Sequence, residues 1–124
     1  LSLKIDGDNK INNYLKSNLN KYKNNNLGKS YVVSINTYFT KKSLAKDRTG
    51  KVTDLKLIAT LNLNYQIKKN DSNNNEKKNV SFSESFNIKK NQNNFEQRDY
   101  EKSIKKNLSQ LLSDKIIHHL SLNK

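Results

Sequence analysis

Residues 55–67 constrain the fold more than any other stretch of this chain. Apolar side chains occupy every second position there, and mainly polar ones fill the positions between them. The apolar series is Leu55, Leu57, Ala59, Leu61, Leu63, Tyr65 and Ile67. Because successive side chains of a β-strand point to opposite faces, this period of two predicts a long strand with one dry and one wet face. Other elements must then cover the dry face.

Shorter alternating stretches predict three further strands. The first contains Leu1, Leu3 and Ile5, the second covers about residues 30–44, and the last covers residues 80–88. Their apolar faces further include Tyr31, Val33, Ile35, Thr37, Phe39, Val80, Phe82, Phe86 and Ile88. Residues 68–79 are rich in Asn and Lys without periodicity, which predicts a loop. Glu84 falls on the apolar face of the last strand, and a β-bulge or a strand end beyond the core would explain it.

Two amphipathic stretches predict helices. Asp8 is the predicted N-cap of a helix over residues 9–23, and Asn93 with Glu96 has the spacing of a capping box before a helix over residues 94–122. The first helix directs inward Ile11, Leu15, Leu19 and Tyr22. The second is predicted to direct inward Tyr100, Ile104, Leu108, Leu111, Leu112, Lys115, His119 and Leu122. Ile117 points away from that side and is predicted to be exposed.

The predicted order of elements is therefore β-α-β-β-β-α in one domain over residues 1–124. Residues 47–50 read Asp-Arg-Thr-Gly, which favours a type I turn closed by a left-handed Gly and hence a β-hairpin. Each strand has one apolar face that two helices can cover. The predicted fold class is α+β: a two-layer sandwich with two helices on one face of a four-stranded sheet.

The composition limits the chemistry of the protein. A net charge of +13 favours polyanions, such as nucleic acid, anionic lipid headgroups or phosphorylated glycolipid, without choosing among them. The chain has no Cys, which excludes disulfides and Cys-ligated metals. Its three Gly form no phosphate loop, and His118 and His119 diverge by about 100° on a helix. We therefore predict no enzyme, no cofactor and no metal site.

The wet face of the predicted sheet has an unusual composition, which we take as a binding surface. Its residues are almost all small or medium and uncharged: Ser34, Asn36, Thr40, Thr60, Asn62, Asn64, Gln66, Ser81, Ser83, Ser85 and Asn87. Exposed strands more often carry charges that discourage association. The pattern favours a surface that meets another polar surface, although an A/T-rich genome would also enrich Asn.

Basic residues cluster in two predicted loops. Lys46, Arg48 and Lys51 lie at the hairpin, and Lys89 and Lys90 lie before the last helix. If the strand order places these loops side by side, they form one anion-binding corner. If it does not, they are solvated lysines on separate loops.

The order of elements and several short motifs resemble a known family. Residues 44–55 read LAKDRTGKVTDL and lead into the long strand; FEQ at 95–97 and YE at 100–101 open the last helix after the strand 81–88. Together they resemble the lipopolysaccharide-assembly outer-membrane lipoprotein family (LptE) of the alphaproteobacterial type. The likeness extends over about residues 1–122, and the order of elements supports it more than any single motif does.

The resemblance implies a non-enzymatic protein at the periplasmic face of the outer membrane. Members of the family plug the LptD β-barrel, help it to assemble and bind lipopolysaccharide, and an N-terminal lipidated Cys anchors them. This sequence has no Cys and no signal segment. We therefore expect an LptE-like domain without its anchor.

The resemblance also suggests roles for individual residues. It matches Arg48 to the basic hairpin residue of the family and Lys89 or Lys90 to the basic loop before the last helix. We expect lipopolysaccharide phosphates to bind Lys46, Arg48, Lys51, Lys89 and Lys90. We expect the barrel wall to contact Asn62, Asn64, Ser83 and Ser85.

Two alternatives stay open. One is a generic basic α+β module that binds nucleic acid or an anionic membrane surface, although surface aromatics for base stacking are few and we expect no nucleic-acid partner. The other is a periplasmic protein-interaction domain without a lipid ligand.

Overall fold

A computed structural model describes residues 2–23, 30–68 and 76–121. Its elements are β1 (Ser2–Gly7), α1 (Asn9–Lys23), β2 (Ser30–Lys46), β3 (Val52–Lys68), β4 (Glu76–Lys89) and α2 (Asn94–Ser121). Within the described ranges the four strands form one sheet in the order β1-β2-β3-β4. β1 runs parallel to β2, and the other neighbours are antiparallel. The predicted α+β class and order of elements are confirmed.

The core lies between the helices and one face of the sheet, as the alternation in β3 predicts. Leu57, Ala59, Leu61 and Leu63 are all fully buried. The partners of β3 in the core are Val33 and Ile35 of β2, Ile11, Leu15 and Leu19 of α1, and Ile104, Leu108, Leu112, Ile116 and Leu120 of α2. Each such Leu or Ile contributes roughly 1.5–3 kcal/mol through removal from water, so this layer holds the two helices on the sheet.

Five of the predicted inward side chains lie outside what the structure describes: Leu1, Tyr22, Tyr31, Ile67 and Leu122.

The predicted loop over residues 68–79 is too long. β3 continues to Lys68, and β4 already begins at Glu76, where Lys77 pairs with Gln66. Lys and Asn are poor strand formers by intrinsic propensity, but pairing with a long neighbouring strand overrides that preference. β2 likewise continues to Lys46, two residues beyond the predicted end.

Neither of the two explanations offered for Glu84, a β-bulge or a strand end beyond the core, is correct. The register between β3 and β4 is continuous, with Glu84 opposite Ala59. The carboxylate stays on the helix-covered face because Lys115 of α2 forms an ion pair with it. The irregular register lies in β2 instead, between Ser43 and Lys46.

Asn93 caps α2 as predicted, but the second half of the predicted capping box is absent. The Asn93 side-chain oxygen accepts hydrogen bonds from the amides of Phe95 (2.9 Å) and Glu96 (3.2 Å). The Glu96 carboxylate accepts its hydrogen bond from the Asn91 side-chain amide at 2.9 Å rather than from the Asn93 backbone. The cap and the preceding loop are thereby tied together.

The buried side of α2 is rotated from the predicted one. Tyr100 and Leu111 are each 46% exposed, whereas Ile117, predicted to be exposed, is partly buried and packs against the core. Ser109 and Ser113 are fully buried in their place. Their hydroxyls donate to backbone carbonyls one turn earlier, so small residues face α1 without an unpaired donor.

The crossing from β1 to α1 is fixed by Gly7 and Asp8. Gly7 has a φ of 113°, and a Cβ added to it would lie 2.1 Å from the Thr37 carbonyl oxygen. The Asp8 amide donates to the Thr37 hydroxyl at 3.0 Å, and the Asp8 carboxylate accepts from the Ile11 amide at 3.0 Å. The predicted N-cap is confirmed, and only Gly fits the turn before it.

Candidate functional site

The hairpin tip between β2 and β3 is internally hydrogen-bonded. The Asp47 carboxylate accepts from the Thr49 hydroxyl (2.6 Å), the Thr49 amide (2.8 Å) and the Lys51 amide (3.0 Å). These hydrogen bonds, the one from the Thr49 hydroxyl foremost, hold the pKa of Asp47 below its usual value. Gly50 has a φ of 87°, the left-handed conformation that the sequence predicts. The tip therefore presents Arg48 on an ordered turn.

The structure brings part of the predicted basic corner together. We use the name basic corner for Lys46, Arg48, Lys51, Lys89 and Lys90, all of which are exposed. The Lys90 amide donates to the Thr53 carbonyl at 2.8 Å, which holds the loop after β4 against the start of β3. A pocket of about 230 Å³ is lined there by Lys51, Val52, Lys90, Asn91, Gln92 and Asn94. Lys51 and Lys90 thus share one pocket.

The other three cations of the basic corner do not line that pocket. Arg48 lies at the exposed tip of the turn, and Lys46 pairs across the strands with Val52. Lys89 pairs with Asp54 of β3, so it has a carboxylate as its cross-strand neighbour. The five basic residues are therefore grouped at one end of the sheet without converging on a single point.

The start of α2 borders the same pocket. Asn94, the first residue of α2, lines it, while Asn93 already occupies the amides of Phe95 and Glu96. Buried Gln97 accepts a hydrogen bond from the Asn91 amide at 2.7 Å, and its own side-chain nitrogen has no partner in the described residues. The pocket offers cations and amide groups but no nucleophile beside a base. Cations and amide N–H groups are the kinds of group that bind anions in proteins.

The second candidate surface is the sheet face away from the helices, which we call the open face. The four predicted contact residues Asn62, Asn64, Ser83 and Ser85 all lie on it. The Ser81 hydroxyl donates to the Asn62 side-chain oxygen at 2.7 Å, and the hydroxyls of Thr60 and Ser83 are 3.5 Å apart. Cross-strand polar pairs of this kind organise the surface before any partner arrives.

The open face is less uniform than the sequence analysis assumes. Lys42 of β2 pairs directly with Lys56 of β3, and the longer β4 adds Lys77. Two large side chains also lie exposed on this face, with Tyr38 53% and Val32 37% accessible. The uncharged description holds only for its central rungs. The period of two by itself places Lys42 and Lys56 on this face, so the sequence contains the signal for both cations.

Several charged residues missed by the sequence analysis have structural partners on the covered face. Lys41 of β2 is 2.6 Å from the carboxylate of Glu101, which is buried in α2. Lys105 of α2 is 3.1 Å from the Asp8 carboxylate, and its ammonium lies 4.1 Å from the centre of the Phe39 ring. These contacts attach the helices to the sheet.

His119 has a structural setting as well. Its Nε2 lies 2.9 Å from the Tyr65 hydroxyl, and its ring packs edge-on against Tyr65 and Phe82. His118 is exposed, so the two rings diverge as expected for neighbours on a helix.

In residues 2–23, 30–68 and 76–121, no group of three or more His, Cys, Asp and Glu residues has the arrangement to hold a metal ion. Neither α1 nor α2 combines the length and the apolar character needed to cross a membrane.

No protein-family model and no curated protein matches this sequence. Among solved structures, the crystal structure of the rare lipoprotein B from Shewanella oneidensis is similar, with a TM-score of 0.70. The superposition covers 99% of this chain and 96% of that chain, at 10% sequence identity. At so low an identity the likeness establishes the fold, which the two proteins share over nearly their whole lengths.

Proposed function

We propose that this chain is a non-enzymatic component of the outer-membrane lipopolysaccharide assembly machinery. In this role it plugs an LptD-type β-barrel, helps it to assemble and binds lipopolysaccharide. The observation that carries the proposal is the likeness to rare lipoprotein B over nearly all of both chains. The family that the sequence resembles consists of lipoproteins, and the structural neighbour is a lipoprotein by name. We place the chain at the periplasmic face of the outer membrane, as the resemblance of the sequence implies, and the lipoprotein neighbour is consistent with that placement.

The open face supports the plug role. The interior of an outer-membrane barrel is polar, so hydrogen-bonding groups on the surface of a plug can pair with the barrel wall. Asn62, Asn64, Ser83 and Ser85 supply such groups on a face that neither helix covers. We assign them to contact with the barrel wall.

The basic corner supports the lipopolysaccharide role. Phosphate groups bind well to paired cations and to the planar guanidinium of Arg. Lys51 and Lys90 share a pocket open to solvent, and Arg48 projects from an ordered turn beside them. We assign the pair as the first phosphate contact, with Lys46, Arg48 and Lys89 around it.

Co-purification tests the proposal. Full-length protein with an affinity tag is expressed in its own cells, extracted from the outer membrane and analysed for partners by mass spectrometry. We expect one large β-barrel protein in equal amount. Recovery without a barrel, or with nucleic acid in its place, would contradict the proposed function and leave only the fold.

A further inference from the structure

Three alternate rungs of the β2–β3 ladder form a distinct strip across the open face. They are the pairs of Tyr38 with Thr60, Thr40 with Ile58, and Lys42 with Lys56, and the rungs between them face the helices. We call Tyr38, Ile58, Lys42 and Lys56 the docking strip. Tyr38 is more than half exposed, Lys42 is exposed and Lys56 is half-buried.

The lysine pair in the docking strip has no internal explanation. Like charges directly opposite one another on antiparallel strands are destabilising. Elsewhere the fold places a carboxylate beside such a cation: Lys41 contacts Glu101 and Lys115 contacts Glu84. In the described residues no carboxylate lies within ion-pair distance of Lys42 or Lys56. Asp54 shares the open face with Lys56, at the next same-face position along β3, but its cross-strand neighbour is Lys89. The pair of Lys42 and Lys56 therefore favours an additional anionic group from outside.

The rest of the docking strip has the composition of an interface centre. Aromatic residues are enriched at such centres, and a polar rim surrounds them. Here Tyr38 and Ile58 are flanked by Thr40, Thr60 and Ser85. The strip therefore offers an apolar anchor beside two cations on a flat, ordered surface.

A second copy of this chain is a poor occupant of the strip. A symmetric pairing would place two lysine pairs against each other, on chains that each have a net charge of +13. Repulsion between like charges opposes that contact. A surface that carries carboxylates is complementary in charge.

We propose that the docking strip binds an acidic stretch of the barrel wall, with carboxylates of the wall opposite Lys42 and Lys56. This inference rests on the proposed function and adds the chemistry of the contact. In this arrangement the docking strip sets the orientation of the protein inside the barrel. The basic corner, at a separate place on the molecule, contacts lipopolysaccharide.

The test is recovery of the barrel by the double variant Lys42→Gln/Lys56→Gln in the full-length protein. We expect about a tenfold loss of recovered barrel, because rim and interface charges guide the association of complementary surfaces. We also expect an unchanged or higher melting temperature, since the substitution removes a repulsive pair. Recovery by the wild type should weaken with added salt, and recovery by the variant should not.

The matched control is Lys102→Gln/Lys106→Gln, which removes two charges from the exposed side of α2. It should recover the barrel as the wild type does, and Tyr38→Ser should lose recovery without loss of folding. If the wild type recovers the barrel and the Lys42/Lys56 variant does so equally, this inference is wrong and the proposed function stands. If that variant loses lipopolysaccharide binding but keeps the barrel, the strip is a lipid site and the inference is also overturned. Failure of the wild type to recover a barrel rejects the proposed function itself.

Discussion

The two faces of the sheet use lysine differently. On the covered face Lys41, Lys105 and Lys115 each contact a carboxylate from another element. On the open face Lys42 and Lys56 face each other without one. Lys41 and Lys42 are adjacent in sequence, so the direction of the side chain alone separates the structural contact of Lys41 from the binding role that we propose for Lys42. Exposure does not explain the difference, because Lys41 and Lys115 are exposed and Lys56 is half-buried. The difference is that the packing of the helices brings each lysine of the covered face to a carboxylate.

Substitutions at two adjacent residues of β3 test the difference between the two faces, and they should have the largest effect on stability. Leu61 is fully buried and Asn62 lies on the open face. Leu61→Ala should lower the free energy of unfolding by about 2–5 kcal/mol, through lost burial and a cavity. Asn62→Ala should change it by less than about 0.5 kcal/mol, as is usual for surface sites. Urea unfolding of both variants measures the difference, and equal losses would contradict the assignment of the two faces.

The turn between β1 and α1, where the chain crosses from the sheet to the helices, offers a second test of the covered face. Gly7→Ala should destabilise by about 3 kcal/mol, because the new Cβ would clash with the Thr37 carbonyl and the backbone has a positive φ. Gly50→Ala is the matched control: its φ is 87°, but no atom lies within 4 Å of the added Cβ. It should lose only about 1 kcal/mol, from backbone strain alone. Similar denaturation midpoints for the two variants would refute a steric role for Gly7.

Removal of exposed cations should affect binding without affecting folding. Lys51→Gln/Lys90→Gln eliminates the pair that shares the pocket at the hairpin end. We expect about a tenfold weaker affinity for purified lipopolysaccharide, consistent with the loss of two charge-assisted contacts. The melting temperature should stay the same, and Lys102→Gln/Lys106→Gln should bind as the wild type does. If titration calorimetry shows an unchanged affinity, the pocket does not bind the phosphates of lipopolysaccharide.

The smallest expected effect is on the stability of the folded protein in acidic solution. Burial raises the pKa of Asp8, but the Ile11 amide and the Lys105 ammonium outweigh it, and the net pKa lies below the usual 3.8. A lowered carboxyl pKa stabilises the folded state above the unfolded pKa, and that stability is lost as the pH falls through the folded pKa. Stability should therefore decline in strongly acidic solution.

Asp8→Asn keeps a good N-cap but removes the ion pair with Lys105, so its unfolding should depend less on pH in this range. Asp8→Ala should lose about 1 kcal/mol near neutral pH because the cap is removed as well. Thermal unfolding of the wild type, Asp8→Asn and Asp8→Ala, measured over a series of pH values, tests both expectations. A wild type and an Asp8→Asn variant with the same acid profile would show that the ion pair contributes nothing.

Local patterns in the amino-acid sequence are sufficient to predict the architecture. The period of two in β3 identified its buried face, and the N-caps Asp8 and Asn93 marked where both helices begin. These features are local: side-chain alternation and capping depend on neighbours within a few residues. The same local logic failed at residues 76–79, where pairing with β3 extends β4 against the preferences of Lys and Asn.

Which charged groups meet depends on strand register and helix packing. Register places Lys42 opposite Lys56 and Lys89 opposite Asp54. The contact of Lys115 with Glu84 depends on how far α2 is rotated over β4. Such distances join residues far apart in sequence, and they follow from strand pairing and helix packing that no local pattern encodes. The sequence therefore predicts a basic, polar surface, while the pairing of strands decides which of its cations lack a partner.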